Sequence, residues 1–325
     1  MSSVEPIPVN LVDLHPKVSN MRTDLLAGMA SNPKQFSPKY FYDERGSQLF
    51  DAICRLPEYY LTRTEIDILQ TRMEEIAECV GPGARLVEFG SGSSTKTRML
   101  LDHLRELAAY VPVDISRDHL LATAEELARD YPGLEVQPVC ADFTHDFELP
   151  GTRHAARRNV VFFPGSTIGN FSADQAHELL TSMAHIAGPH GGVLIGIDMK
   201  KDEAVLTAAY NDSAGITGQF NLNMLARFNR ELGADFDLDS YRHRAVYNSH
   251  EGRMEMYLVS LREQSVSVSS NRFDIAMGEA ILTEWSHKYD QAQFSAMASA
   301  AGLEARKAWS DPDGLFSVQY LETRD

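Results

Sequence analysis

The run Arg85-Leu-Val-Glu-Phe-Gly-Ser-Gly-Ser-Ser-Thr-Lys96 constrains the chain most, because an apolar segment breaks into two glycines where a helix begins. Glycine at 90 and 92 lets the backbone turn with positive φ and come close to a ligand. The N–H groups that open the following helix favour a negatively charged ligand group. Thr95 stands where a dinucleotide fingerprint needs its third glycine, which disfavours a diphosphate cofactor. A nucleoside ending in a carboxylate fits better, with Lys96 placed to meet that carboxylate. A bare strand-to-helix turn without a ligand has the same appearance.

Two further strand ends carry acids. Val111-Pro-Val-Asp114-Ile-Ser116 closes on an aspartate that can accept both ribose hydroxyls. Val136-Gln-Pro-Val-Cys-Ala-Asp142-Phe143 closes on an acid followed by an aromatic, which suits an adenine amino group beside a ring face. Either aspartate alone also suits a helix cap. The order glycine turn, acid, acid with aromatic points to a nucleoside ligand such as S-adenosylmethionine.

From about residue 64 helical and strand-like segments alternate, the pattern of a parallel sheet with helices on both faces. Strands are expected at Arg85–Phe89, Ala108–Asp114, Glu135–Ala141, Asn159–Phe163 and Gly192–Asp198, and helices at Thr64–Val80, Thr95–Leu107, Asp118–Asp130 and Ala173–Ala187. Gln291–Gly302 reads as a helix, and Leu303–Ser310 and Leu315–Glu322 flank Asp311-Pro-Asp-Gly as an antiparallel pair. Such an ending resembles that of the Rossmann-like, seven-stranded class I methyltransferase sheet, which makes an α/β fold of that kind the expectation. Residues 200–283 are too many for a simple crossover. They hold a helical stretch, Glu203–Gly233, and strand-like alternation over Arg242–Ser265. The expected division is a cofactor-binding domain of residues 64–199 plus 287–325, and a substrate-binding domain of residues 1–63 plus 200–286, layered over the cofactor.

Composition narrows the partners. Thirty Lys and Arg against 46 Asp and Glu give a net charge of −16, spread along the chain, so nucleic acid is disfavoured. With 43% hydrophobic and 23% charged residues the balance is that of an ordinary globular protein. No apolar run is long enough for a membrane span, and the polar Met1-Ser-Ser-Val-Glu start has no leader character, which together suggest a cytoplasmic protein. Cys54, Cys79 and Cys140 lack metal-like spacing and the eleven histidines form no ligand cluster, so no metal is expected. A monomer is preferred.

Phe163-Pro-Gly-Ser-Thr-Ile-Gly-Asn170 follows the fourth strand, at the edge where ligands meet such sheets. The Asn170 amide offers a donor and an acceptor, as an amino acid's ammonium and carboxylate require, although asparagine equally suits a left-handed turn there. Tyr59 and Tyr210 suit core packing by default. Glu284 and Ser286, two apart in Leu282-Thr-Glu-Trp-Ser-His-Lys, share a side if the run is a strand. A carboxylate beside a hydroxyl matches an imidazole, whose two nitrogens donate and accept, but also matches a solvated strand face.

Lys39-Tyr-Phe-Tyr-Asp-Glu-Arg-Gly-Ser-Gln-Leu-Phe-Asp51, Leu56-Pro-Glu-Tyr-Tyr-Leu-Thr-Arg-Thr-Glu65, Glu88-Phe-Gly-Ser-Gly92, Gly165-Ser-Thr-Ile-Gly-Asn170 and Thr283-Glu-Trp-Ser-His-Lys288 together resemble the histidine-specific methyltransferases of ergothioneine biosynthesis. Ala209-Tyr-Asn-Asp, Asn229-Arg-Glu-Leu-Gly-Ala-Asp-Phe-Asp-Leu-Asp and Arg253-Met-Glu-Met256 extend the resemblance into the insertion. The resemblance implies three successive methyl transfers from S-adenosylmethionine to the α-amino group of L-histidine, giving hercynine. It implies that Gly90, Lys96, Asp114, Asp142 and Phe143 take the cofactor, that Asn170 and Tyr210 hold the amino-acid end and serve as the catalytic residues, and that Glu284 and Ser286 read the imidazole with Tyr59 nearby. The effect of Trp285 between the pair is open. Two other readings stand beside this one: the same cofactor with another amino acid or small amine as acceptor, and a non-catalytic sensor of the cofactor.

Overall fold

The computed structural model describes residues 7–16, 20–91, 94–104, 106–145 and 147–324. Gly92 of the glycine turn and the Met1-Ser-Ser-Val-Glu start lie outside the described residues. In chain order the elements begin β1 (Val12–Asp13), α1 (Met21–Ala30), α2 (Glu44–Ile53), α3 (Tyr60–Val80), β2 (Ala84–Phe89), α4 (Thr95–His103), β3 (Ala109–Asp114) and α5 (Arg117–Asp130). They continue β4 (Val139–Cys140), β5 (Arg158–Phe163), α6 (Ala173–Ala187), β6 (Gly192–Asp198), α7 (Glu203–Tyr210), α8 (Ile216–Leu232) and β7 (Tyr241–Asn248). The remainder is β8 (Arg253–Ser260), β9 (Gln264–Val268), β10 (Asn271–Ile275), β11 (Ala280–His287), α9 (Gln291–Ala300), β12 (Leu303–Ser310) and β13 (Phe316–Thr323).

The chain divides into two compact units. One comprises residues 1–18, 64–199 and 289–325, and the other residues 19–63 and 200–288. The start of the chain therefore goes with the sheet, where it had been expected with the insertion. The cause is local: Val12 pairs in parallel with Val139 and Asp13 with Cys140.

The first unit is a sheet of order β1-β4-β3-β2-β5-β6-β13-β12. Strands β2 to β6 run parallel, and β13 inserts antiparallel between β6 and β12. This is the expected seven-stranded α/β arrangement with β1 added at one edge. Because successive side chains alternate, Val87, Phe89, Val111, Val113, Val161, Phe163, Ile195 and Ile197 face one side and share a core with α6 and α9. Leu86, Tyr110, Val160, Phe162 and Leu194 on the other side are equally buried, as a sheet covered on both faces requires. The chain visits β2, β3 and β4 in one direction and then crosses to β5, so the reversal falls between β2 and β5, where open α/β sheets bind ligands.

Some boundaries differ from those the sequence suggests. β4 covers Val139–Cys140 and not Glu135–Ala141, because Pro138 has no N–H to give the ladder and Val136 makes only an isolated bridge to Tyr110. α4 ends at His103, short of Leu107, and Glu106 takes a left-handed φ of 60° that no helix interior tolerates. The long helical stretch is two helices. Asp212 caps the second by accepting from Ile216 N at 2.8 Å and Thr217 N at 2.7 Å, and Gly215 turns left-handed between them.

One buried ion pair fastens the first unit at the carboxyl ends of its strands. Glu65 on α3, 1% exposed, pairs with the ammonium of Lys96 on α4 and accepts from Gly165 N after β5 at 2.9 and 3.0 Å. Gly196 on β6 makes the room, since a Cβ there would lie 2.1 Å from Glu65 Oε1. Removing one member of such a pair strands the other in low dielectric. Glu65→Ala is therefore expected to lose about 3–5 kcal/mol in denaturant unfolding. Breaking the exposed Arg72–Glu75 pair is expected to cost about 1 kcal/mol or less. Equal losses from the two variants would contradict the assignment.

Candidate active site

The strand ends on either side of the reversal gather the residues expected to hold a nucleoside. Gly90 leaves β2 with φ +73° and its N–H donates to Val113 O at 2.9 Å, tying the turn to β3. A Cβ on Gly90 would sit 3.8 Å from Phe143 Cε1, so the ring borders the turn. Phe143 is itself held by stacking on Phe89 at 5.2 Å and by an edge contact with Phe163 at 5.9 Å. Asp114 at the end of β3 accepts from Ser116 N at 2.8 Å, which fixes its carboxylate plane. Burial holds that carboxyl above its usual range, with the Ser116 N–H working the other way. Asp142 is partly engaged by its own turn: Oδ1 accepts from Thr144 N at 3.0 Å and Thr144 Oγ1 at 2.6 Å, and His145 lies 3.3 Å from the other oxygen. Gly90, Asp114, Asp142 and Phe143 are each half-buried.

Lys96 has a second allegiance. Its ammonium pairs with Glu65, so a ligand carboxylate would share it with a buried acid. Below the turn, Glu88 accepts from Tyr110 Oη at 2.6 Å and Thr97 Oγ1 at 2.7 Å. Burial pushes the Glu88 carboxyl up to about 7, against the pull of those two hydrogen bonds and of Lys96. Asn170 ends a short 3-10 turn, Thr167–Asn170, and is half-buried. That loop is anchored because Ser166, at a left-handed φ of 56°, accepts Asp198 N at 2.8 Å from the end of β6.

The second unit gathers the other expected residues. β11 pairs antiparallel with β8, and β8 with β7. Glu284 lies opposite Met256 and Ser286 opposite Met254, so the carboxylate and the hydroxyl share one face. Trp285 lies on the other, over the Arg253 guanidinium at 4.7 Å, and Arg253 Nε donates to Glu255 Oε1 at 2.8 Å. The bulk between the pair is thus turned away from it.

Glu284 is half-buried, yet burial pushes its carboxyl up to about 7, with Lys288 pulling it back down. Tyr59 and Tyr210 meet ring to ring at 6.3 Å. Burial raises the Tyr59 phenol well above the usual range, and Tyr210, Cys54, Tyr42 and Glu284 add to the rise, while Tyr42, itself 45% exposed, feels Glu284, Cys54 and Tyr210 in the same direction. Lys288 Nζ donates to Ser286 Oγ at 2.8 Å and to Tyr210 Oη at 3.0 Å. The structure thus brings Tyr59, Tyr210, Glu284 and Ser286 together, and Asn170 belongs to the other unit.

Sequence reasoning missed Glu65, Tyr42, Cys54 and Lys288. Lys288 had a signal, since 284, 286 and 288 continue one period of two along a strand. Glu65, Tyr42 and Cys54 had none, because nothing in their own segments names their distant partners.

Chemically, the first group offers a left-handed glycine bend, a ring wall and carboxylates for hydroxyl and amino groups, a donor and acceptor set that fits S-adenosylmethionine. The second offers an acceptor and a hydroxyl on one face with tyrosines beside them. Among the described residues no group of three or more His, Cys, Asp or Glu could hold a metal ion. Among the described residues no helix is long and apolar enough to cross a membrane.

The model of the family described as histidine-specific, SAM-dependent methyltransferase matches residues 21–323. Histidine N-alpha-methyltransferase of Mycolicibacterium smegmatis is 45% identical over 304 residues, covering 92% of this chain and 93% of that protein. The protein of the same name from Mycobacterium tuberculosis is 44% identical with the same coverage. Ergothioneine biosynthesis protein 1 of Neurospora crassa is 30% identical over 90% of this chain, which spans only 34% of that longer protein. With a family match over nearly its whole length, and with a Rossmann-like sheet whose glycine bend and acidic strand ends suit the cofactor, this chain belongs to the histidine-specific, S-adenosylmethionine-dependent methyltransferases.

Proposed function

We propose that this enzyme transfers three methyl groups in succession from S-adenosylmethionine to the α-amino group of L-histidine, forming hercynine for ergothioneine biosynthesis. The observation that carries the reading is Glu284 and Ser286 on one face of β11. One accepts the imidazole N–H and the other meets the bare ring nitrogen. Asn170 and Tyr210 hold the amino-acid end, and Tyr59 packs beside Tyr210. Gly90, Lys96, Asp114, Asp142 and Phe143 take the cofactor. The reading includes a cytoplasmic enzyme that works as a single chain on small molecules, without nucleic acid or membrane.

When bound, the cofactor supplies an electrophilic methyl group on a positive sulfonium. The protein's task is then orientation, since holding an amine lone pair in line at near-attack distance supplies up to about 7–11 kcal/mol of the barrier. The amine must be unprotonated. Partial desolvation and the neighbouring positive charge lower its pKa, so its proton can leave through water without a dedicated base. Product masses from histidine and the other amino acids, each with S-adenosylmethionine, test the proposal: dominant trimethylation of another amino acid would reject it.

Two variants make the reading quantitative. Glu284→Ala removes the acceptor of a buried N–H and is expected to lower kcat/KM for histidine roughly 10²–10³-fold, while activity on apolar amino acids rises. An unchanged preference for histidine would contradict the pair's role. For Glu284→Gln the expectation concerns pH. The folded carboxyl titrates near 7, above its ordinary range, and only its ionised form is a charged, acceptor-only partner for the ring N–H, so histidine affinity in the wild type is expected to fall as pH drops through about 7. That limb should be missing in the variant. Stability runs the opposite way. Because the folded pKa is raised, the contribution of Glu284 is fully present below the unfolded value near 4.5 and is lost as pH rises through about 7. Unfolding at pH 5 and pH 8 should show the variant gaining on the wild type at the higher pH, with the Glu88 titration common to both.

A further inference from the structure

Lys288 is an unusual place for a charge. It is 2% exposed, it follows β11 directly, and its backbone N–H is held by Gly252 O at 2.8 Å. Its ammonium reaches Ser286 Oγ at 2.8 Å and Tyr210 Oη at 3.0 Å and lies 4.9 Å from the Tyr210 ring centroid. An ammonium has donors and no acceptor, so in both bonds the hydroxyl oxygen accepts. The protons of Ser286 and Tyr210 must then point elsewhere. With one lone pair taken by the ammonium and the proton directed away from it, each hydroxyl is biased toward donating to whatever else it meets.

We infer that Lys288 is a positioning residue that sets the hydrogen-bond polarity of the histidine site, so that only a neutral imidazole in a single tautomer fits between Glu284 and Ser286. The inference rests on histidine being the substrate. Glu284 as a carboxylate can only accept, so it takes the ring N–H. Ser286, already accepting from Lys288, gives its proton to the bare nitrogen. An imidazolium would bring a second N–H toward Ser286 and a positive charge toward a buried ammonium, and is rejected on both counts. By the same logic Tyr210 gives its proton to the substrate carboxylate. One lysine thus aligns the readers of both ends of the amino acid.

The titratable groups facing this arrangement are Glu284 and His287, which both feel the charge of Lys288, and Tyr210, with Tyr59, Tyr42 and Cys54 beyond them. His287 is held neutral by burial first and by Arg253 next, with Lys288 adding to the effect. Lys288 draws Glu284 toward its charged form.

The test compares Lys288→Met, Lys288→Arg and wild type. The readouts are the KM and kcat for histidine, the affinity for S-adenosylhomocysteine, and the ¹⁵N shifts of labelled histidine bound with S-adenosylhomocysteine at neutral pH. In the wild type one neutral tautomer is expected. Lys288→Met should raise KM for histidine about tenfold or more, leave S-adenosylhomocysteine affinity within about twofold, and bind a protonated ring or mixed tautomers. Lys288→Arg keeps the charge and the donors and should restore the neutral tautomer. A folded Lys288→Met with unchanged KM and unchanged ring state overturns the inference. If that variant does not fold, the wild-type spectrum decides, and a bound imidazolium or tautomer mixture overturns it. A wild-type enzyme that fails to methylate histidine at all refutes the proposed function instead.

Discussion

Glu65 concentrates the physical demands on the sheet unit. Its carboxylate has almost no water, and it is satisfied by the Lys96 ammonium and the Gly165 N–H. Those partners stand at the start of α4 and in the loop after β5, on either side of the strand reversal. A buried charge with its partners in place adds little net stability over apolar packing, but one that loses a partner is costly. The arrangement therefore penalises any shift of the two loops. Gly196 belongs to the same constraint, because any side chain there would evict the carboxylate.

In the second unit the decisive feature is one extra residue. β11 and β8 are in register from Ala280 to Leu282, opposite Val259 to Tyr257, and resume with Glu284 opposite Met256. Thr283 is the bulge, fully buried, with its hydroxyl donating to Met256 O at 3.1 Å. Residues two apart in a regular strand share a face, but Leu282 and Glu284 lie opposite neighbouring residues and so face opposite sides. Without the bulge Glu284 and Ser286 would share the face of Leu282. With it they join Met254, Met256 and Ala245, and Trp285 goes to the Arg253 side.

The legible parts of this protein are those written in local chemistry. The strand-helix alternation and the hairpin around Asp311-Pro-Asp-Gly lie where the pattern puts them, because period and turn residues act over a few positions. The misjudged boundaries are those where a single backbone group overrules the pattern: the missing N–H of Pro138, the left-handed Glu106 and the cap formed by Asp212. The glycine and the acids at the strand ends were legible in type and order, but the pairing of Lys96 with Glu65 was not, since it joins segments 31 positions apart.

The sequence by itself determined the sheet, its glycine turn, the acids at its strand ends and the presence of a carboxylate and a hydroxyl two residues apart. Each of these follows from spacing along the chain. Only the tertiary structure decided which face that pair occupies, that Trp285 leaves it, that Glu284 bears on the Tyr42 and Tyr59 phenols, and that Lys288 donates to the Ser286 hydroxyl. These depend on a bulge registered against another strand and on burial by distant segments, which raises the Glu284 carboxyl, while the Lys288 ammonium orients the hydroxyls it meets.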